Sequence, residues 1–406
     1  MKNESKKYSS TAIITISFLF LSFILLGMPG AITHVGWPAI RTEFGLRQDS
    51  IGLLLLMSTV GHLISGAFNG RLMYLLGGSR LLLLSLGIYS LSLFGYWLTP
   101  SWEFMVLLAL IGGWSGGTLD ATGNTIVAAR FDERIMNWLH GFFGVGATLG
   151  PLVVSLVVAF GSDWRGSAFV FGTLLLIVFF AILIFKPLDD EGAKDKEAVE
   201  DLKNEMGETS AVSGRQTLSK FVVWLAIFFY AVYGGVEVSI GQWAFTIFTE
   251  SRALTPELAR LWVSIYWGTF TIGRFLFGWI SHWLPVYRWI RICLVATTAS
   301  VVLLLFPNQP ILGILGLALS GLAQAPIFAT LISNMPKLVG RDHASNAIGY
   351  VVGAAGIGLA IFPWLAGVLA EQNSLEVIPP YIFGLTVLLF VLFELMVRVE
   401  ANGNRV

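Results

Sequence analysis

Cysteine occurs once in the 406 residues, at Cys293. That excludes an intramolecular disulfide and any cysteine-based metal cluster. Charge is almost as scarce. Asp, Glu, Lys and Arg make up 12% of the chain, against about 25% in average soluble domains. The 25 bases and 25 acids cancel, so no surplus points to a nucleic-acid partner. No phosphate-binding loop is present to harness ATP hydrolysis, and no histidine pair has zinc-ligand spacing. No enzyme signature appears, and the chain is not expected to be an enzyme. What it has instead is apolar surface, at 55% hydrophobic residues. The composition is that of an all-α integral membrane protein.

The N-terminus, MKNESKKYSS, is basic and precedes an apolar run, as in a secretory signal. The run is too long for one and no small-residue cleavage site follows, so it reads as a first membrane helix that stays attached. A spanning helix needs about 20 mostly apolar residues. Twelve such runs are predicted: 12–40, 50–72, 79–98, 103–130, 136–160, 165–186, 219–248, 257–281, 288–306, 311–334, 343–370 and 378–399. Breaker or charged residues separate them, as at Thr99-Pro100 and Gly161-Ser162-Asp163. The last run is the least uniform, with Glu394 near its end.

Lys and Arg fall unevenly on alternate connections. Arg41, Arg47, Arg165, Arg252 and Arg260 lie on one side, and the other 20 of the 25 bases on the opposite side. Cytoplasmic connections hold the excess. This predicts a multi-pass protein of the cell (inner) membrane with both termini cytoplasmic. The one long polar connection, Pro187–Leu218, reads as a cytoplasmic linker between an N-terminal six-helix half (1–186) and a C-terminal one (219–406). The halves look like copies. Gly27–Trp37 resembles Gly234–Trp243, and GHLISGAFNGRL (61–72) echoes GTFTIGRFLFGW (268–279). A substrate site between repeated halves, near the midplane, is the transporter plan.

Asp120 is the residue that most needs a reason. An ionisable group inside an apolar span is costly and normally faces a polar interior. Asn124, one turn on, shares its helix face, while Gly112, Gly113, Gly116 and Gly117 allow a neighbouring backbone to come close. The bland alternative is an acid that only hydrogen-bonds another helix. Glu237 stands at similar depth in the seventh run, with Tyr233 and Gly241 on its face. It suits either a coupling ion or a substrate hydrogen bond. Gln242 beside Trp243 pairs an amide with an indole, which suits a sugar's hydroxyls and apolar face. Trp37, Tyr266, Trp267 and Gln324 complete the predicted substrate contacts. Gln324 precedes Pro326, where a broken helix exposes carbonyls. Trp37 equally fits an interfacial belt. His34, His62 and His140 titrate near neutral pH in their unperturbed state, and His34 is the ion-coupling candidate among them.

These residues carry a family resemblance. Gly70-Arg71 followed by Gly77-Gly78-Ser79-Arg80 resembles the loop motif of the major facilitator superfamily, with Asn69 near where an Asp is usual. Gly273-Arg274 with Gly278 is a weaker echo. The resemblance implies gating roles for Arg71, Arg80 and Arg274. LDATGNTIVAA, NWLHGFFGVGATLGPL and GGVEVSIGQWAFTIFTE are similar to the fucose permease and sodium-glucose transporter-like group. Gly146, Gly150 and Pro151 resemble part of an antiporter motif but lack its glycine pair, so helix packing is their better reading. The resemblance implies a secondary transporter taking up a sugar-like or polyol solute with H+ or Na+. It would have no cofactor beyond that ion, a small solute and the bilayer as partners, and a monomeric state. The alternatives are an exporter of drug-like or metabolite molecules, or a non-transporting sensor or scaffold. With Arg274 placed toward the cytoplasmic end, the central third holds acids and no base. That absence predicts a neutral solute.

Overall fold

The computed structural model describes residues 10–131, 133–185, 213–280 and 284–403. Backbone polar groups have no partners in hydrocarbon, so an apolar chain closes them within helices. Among the described residues there is no strand.

The first run is two helices rather than one. These are α1 (Ser10–Gly27) and α2 (Gly30–Phe44), parted at Met28-Pro29, where proline brings no N–H to the ladder. Then come α3 (Ile51–Leu76), α4 (Gly78–Leu98), α5 (Trp102–Arg130), α6 (Glu133–Ala159) and α7 (Trp164–Phe185). Of the expected linker, 187–212 lie outside the described residues. Its remainder holds α8 (Gly214–Leu218), opened by a Ser213/Gln216 capping box. Next, α9 (Phe221–Thr246) runs into a π-helical turn (Ile247–Ser251). The chain then forms α10 (Pro256–Ile280), α11 (Val286–Leu304), α12 (Pro310–Gln324), α13 (Ile327–Ser333), α14 (Met335–Val339), α15 (Arg341–Gln372) and α16 (Ile378–Gly403). The break between α12 and α13 falls at Ala325-Pro326, as the proline predicts.

Among the described residues, 11 segments are long and apolar enough to cross a membrane. They coincide with 11 of the 12 predicted runs. The other run, 257–281, is α10, a full-length helix that falls short of spanning hydropathy. The cause is its polar face: Arg260, Ser264, Thr271 and Arg274 turn into the bundle rather than toward lipid. Glu394 in α16 is neutralised by Arg291 of α11, whose Nη2 donates at 3.1 Å.

The helices of 10–185 pack chiefly on one another, as do those of 214–403, and the two groups meet along α6–α10, α3–α15 and α2–α9. Within the first group, α3 and α5 approach backbone to backbone. A side chain at Gly61 or Gly113 would collide with the facing carbonyl of Leu110 or Ser58. Buried Thr122 donates to Asn69 Oδ1 at 3.1 Å along the same contact. A Cβ at Gly146 would strike the carbonyl of Ile24, so packing accounts for that glycine.

The seam between the groups is closed at the end that carries Gln48. All five arginines of that end pair with acids: Arg41 with Glu250, Arg47 with Asp49 and Glu371, Arg165 with Glu43, Arg252 with Glu376 and Arg260 with Glu257. Trp364 of α15 covers Gly52 of α3, and Leu63 still reaches Gly356. On the same two helix faces, toward the Arg71 end, a Cβ at Gly66, Gly70, Gly349 or Gly353 would meet nothing within 4 Å. The α3–α15 seam is therefore shut at one end and parted at the other.

Candidate functional site

A cavity of about 520 Å³ lies where the two groups face each other. Small-solute sites typically measure ~300–1,000 Å³. The break at Pro29 carries α2 across the cavity's wall, where Thr33 and His34 face inward. Helical spacing along α3 adds Ser58, Thr59 and His62, and along α4 it adds Tyr89, Ser92 and Tyr96. Neither the Tyr89 nor the Tyr96 hydroxyl has a hydrogen-bond partner among the described residues. Among the described residues the second group contributes Val238 of α9, Arg274 of α10 and Leu359 of α15. The wall is thus built mainly from the first group.

Asp120 lies on this wall together with His140 and Arg274. Asn124 Nδ2 donates to Asp120 Oδ1 at 3.2 Å, and the amide's buried Oδ1 has no partner. The predicted pairing of acid and amide holds, with Asn124 behind Asp120 rather than on the surface. His62 lines the cavity too. His34 stacks face to face on Trp267, with ring centroids 5.6 Å apart and planes 13° apart, so an imidazole of one group lies on an indole of the other.

Glu237 sits just behind the wall, beside the Tyr233 hydroxyl and within electrostatic range of Arg274. Around it the second group is cross-braced by its exposed carbonyls. Tyr266 donates to the Glu237 carbonyl at 2.8 Å, and Tyr233 donates to the Gln324 carbonyl at 3.0 Å. That carbonyl is one freed by the Pro326 break.

Several predicted contacts lie elsewhere. Trp37 is fully buried and packs on Trp102. Trp243 is also fully buried, its indole N–H donating to the Pro363 carbonyl at 3.0 Å. Gln242 reaches across the groups to donate to the Thr33 carbonyl at 2.9 Å. Gln324 Nε2 donates to the Ser320 carbonyl at 3.2 Å, and its Oε1 is buried without a partner. Tyr266 serves as a brace, as above. In this conformation these five are packing or bracing groups, because large rings and amides at helix crossings fill the space between backbones. Arg71 and Arg80 are exposed at the α3–α4 turn, with no hydrogen-bond or ion-pair partner among the described residues.

Arg274 corrects the sequence reading most. It lines the same cavity as Asp120 and lies within electrostatic range of Glu237, so the cavity does hold a cation. Its guanidinium lies 4.6 Å from the Phe270 ring centroid. The residues missed by sequence reasoning are the hydroxyl stripes of α3 and α4. Their signal was there, in Tyr89, Ser92 and Tyr96 at one-face spacing inside an otherwise apolar span.

The fold and cavity agree with the comparisons to known proteins. The chain is 25% identical over 367 residues to the glucose/mannose transporter GlcP of Bacillus subtilis, covering 89% of each. It is 24% identical over 427 residues to human sodium-dependent glucose transporter 1, covering 95% of this chain and 79% of the relative. Its fold matches the crystal structure of the nucleoside transporter NupG with a TM-score of 0.74 at 16% identity, over 96% of this chain and 99% of that one. The model of the Major Facilitator Superfamily matches residues 19–293 and again 243–405. A multi-pass transport protein rather than an enzyme, the chain belongs to the Major Facilitator Superfamily.

Proposed function

We propose that this transporter takes up a neutral, sugar-like or polyol solute together with H+ or Na+, by alternating access between a half of residues 1–186 and a half of 219–406. The observation that carries the reading is the cavity wall. Tyr89 and Tyr96 present unpartnered hydroxyls, and Thr33, Ser58 and Thr59 line the same space. Such groups exchange hydrogen bonds with a polyhydroxylated solute as water does, and the His34–Trp267 stack offers a flat aromatic surface. Asp120 is the coupling residue on the wall and Glu237 its counterpart behind it. The relatives GlcP and sodium-dependent glucose transporter 1 bear sugar names, which supports the same class. We place the protein in the inner membrane as a monomer with cytoplasmic termini, following its Lys/Arg asymmetry. The closed Gln48 end then faces outward, and the seam parts toward the cytoplasm.

The test is uptake into proteoliposomes of a panel of hexoses, polyols, carboxylates and organic cations, with and without imposed H+ and Na+ gradients. Saturable accumulation of a neutral hexose or polyol, dependent on one of the two gradients, is expected. Gradient-independent uptake, or accumulation of an anion with neutral sugars inert, overturns the reading.

A further inference from the structure

We propose that Arg274 is the single countercharge shared by Asp120 and Glu237, and that this sharing fixes the coupling stoichiometry at one cation per solute. The proposal rests on the cation-coupled reading above.

Among the described residues, Arg274 is an unpaired base that is half-buried on the cavity wall, unlike Arg71 and Arg80, which are exposed at a turn. The arginines of the Gln48 end each have an acid within 4 Å, as does Arg291 at the other end. Among the described residues Arg274 has no hydrogen bond and no ion pair. Its only direct contact of that kind is the Phe270 ring beneath it. A guanidinium among apolar spans is costly unless it faces a polar cavity or another charge. Here it faces both.

The titratable groups near it come from three neighbouring helices and its own. From α5 comes Asp120 and from α6 His140, each sharing the cavity wall with Arg274. From α9 come Glu237 and Tyr233, and from its own helix Tyr266, all within its electrostatic range. His140 lies within range of both Asp120 and Arg274. With the histidine neutral, the cluster holds two carboxylates and one guanidinium. Its net charge is −1 when both acids are ionised and zero when one of them is neutralised.

Closing the halves over a solute removes bulk water from this cluster. An uncompensated charge is then expensive, whereas a balanced cluster is not. The state with one cation taken up is therefore the one that can close. Because Arg274 is anchored on an aromatic face rather than clamped to one acid, it is free to turn to whichever carboxylate remains ionised. A neutralised Asp120 leaves the guanidinium to Glu237, and the reverse. The positional shift of a single group thus links a cavity-wall acid of one half to a half-buried acid of the other.

The closing experiment begins with the unaltered protein. Its cation-to-solute ratio is read from the reversal potential of flux in proteoliposomes, with the neutral hexose selected by the panel as probe. A ratio of one is expected, and a ratio of two overturns the proposal. Arg274→Gln should lose hexose exchange at neutral pH by 20-fold or more (order of magnitude, from an uncompensated buried charge) and regain it in acid with a second-order dependence on H+. Removing one acid along with the base restores balance. Arg274→Gln combined with Glu237→Gln, or with Asp120→Asn, should therefore recover exchange at neutral pH with a first-order dependence on H+, because one carboxylate and no base again make −1 when ionised and zero with one cation. Arg274→Lys, which keeps the charge, should retain the wild-type ratio. Double variants no better than Arg274→Gln alone, though folded by thermal unfolding in detergent, would show a structural role instead. Accumulation by the unaltered protein that needs no cation gradient would sink the coupled reading, and the proposal with it. A ratio of two, or unrescued doubles, would sink the proposal alone.

Discussion

Arg41 and Glu250 meet across the Gln48 end, with Arg41 Nη2 donating to both carboxylate oxygens at 3.0 and 3.1 Å. They are 209 residues apart in the chain, one at the end of α2 and the other on the π-helical turn that follows α9. Gln48 joins them. Its side chain donates to Glu250 at 3.2 Å and its backbone N–H to Glu371 at 2.8 Å. The extra residue per turn in the π segment swings Glu250 toward α2, so a local winding defect in one half supplies the latch for the other.

Glu250→Gln should loosen this closure. Both side chains are about a quarter exposed, 25% and 28%, so the pair is worth ~0.2–1 kcal/mol. That converts to roughly a 1.5- to 5-fold shift toward opening at this end. The check is the labelling rate of Thr33→Cys, on the cavity wall, in a Cys293→Ser background. A membrane-impermeant maleimide is added from the Gln48 side. An unchanged rate in Glu250→Gln would show that the latch lies elsewhere.

Asp120→Asn keeps the shape of the side chain and a hydrogen-bonding atom toward Asn124 while removing ionisation. Accumulation against a gradient should vanish, and solute exchange should persist in part. Gradient-driven uptake and counterflow, measured side by side, separate the two. A variant that concentrates solute as well as the parent would make Asp120 a packing residue.

Tyr89 and Trp243 should part company on substitution. Tyr89→Phe removes a hydroxyl that faces the cavity, so KM should rise by about 2- to 12-fold, the equivalent of ~0.5–1.5 kcal/mol for one hydrogen bond, with unfolding temperature little changed. Trp243 is fully buried and tied to the Pro363 carbonyl. Trp243→Ala should cost ~3–5 kcal/mol of stability, seen as a fall in detergent melting temperature. Trp243→Phe should fold and keep its KM. A large KM change in Trp243→Phe would return the indole to the site.

The chain's sequence shows its membrane architecture plainly, because spans of 20 or more apolar residues are long-range signals that no local detail obscures. It also shows Asp120, since an acid in such a span stands out against its surroundings. What it hides is direction. Gln242, Trp243 and Trp37 have the chemistry of sugar contacts, and nothing in their order says that they point between helices. Arg274 was misplaced by the same blindness. Counted along α10 it lies toward one end, but α10 packs along α6, and the side chain enters the cavity beside His140. Tyr89, Ser92 and Tyr96 form a stripe on one helix face, but hydroxyls serve equally as interhelical glue in membrane helices, so their spacing alone does not say that they face a cavity. The Pro326 break was readable from the proline. The Pro29 break carries the same signal.

The charge of the substrate follows from the same cluster. Arg274 gives an anionic solute a partner, so the argument from a missing cation does not hold. The balance of charge replaces it. If a carboxylate on the solute took Arg274, Asp120 and Glu237 would both be left without a countercharge in a cavity about to close. Desolvating an unpaired ion costs several kcal/mol even after relaxation, so two coupling cations would be needed to offset it. A neutral polyhydroxylated solute leaves Arg274 with the acids and meets the unpartnered Tyr89 and Tyr96 hydroxyls. An organic cation comes second, since it can replace the coupling ion. Competition in proteoliposomes decides among them. Neutral hexoses should compete at least 10-fold better than carboxylates or sulfonates of similar size, a difference of about 1.4 kcal/mol or more. Arg274→Gln should not improve carboxylate binding. If carboxylates compete best and Arg274→Gln abolishes that competition, Arg274 binds the solute directly and the site is built for anions.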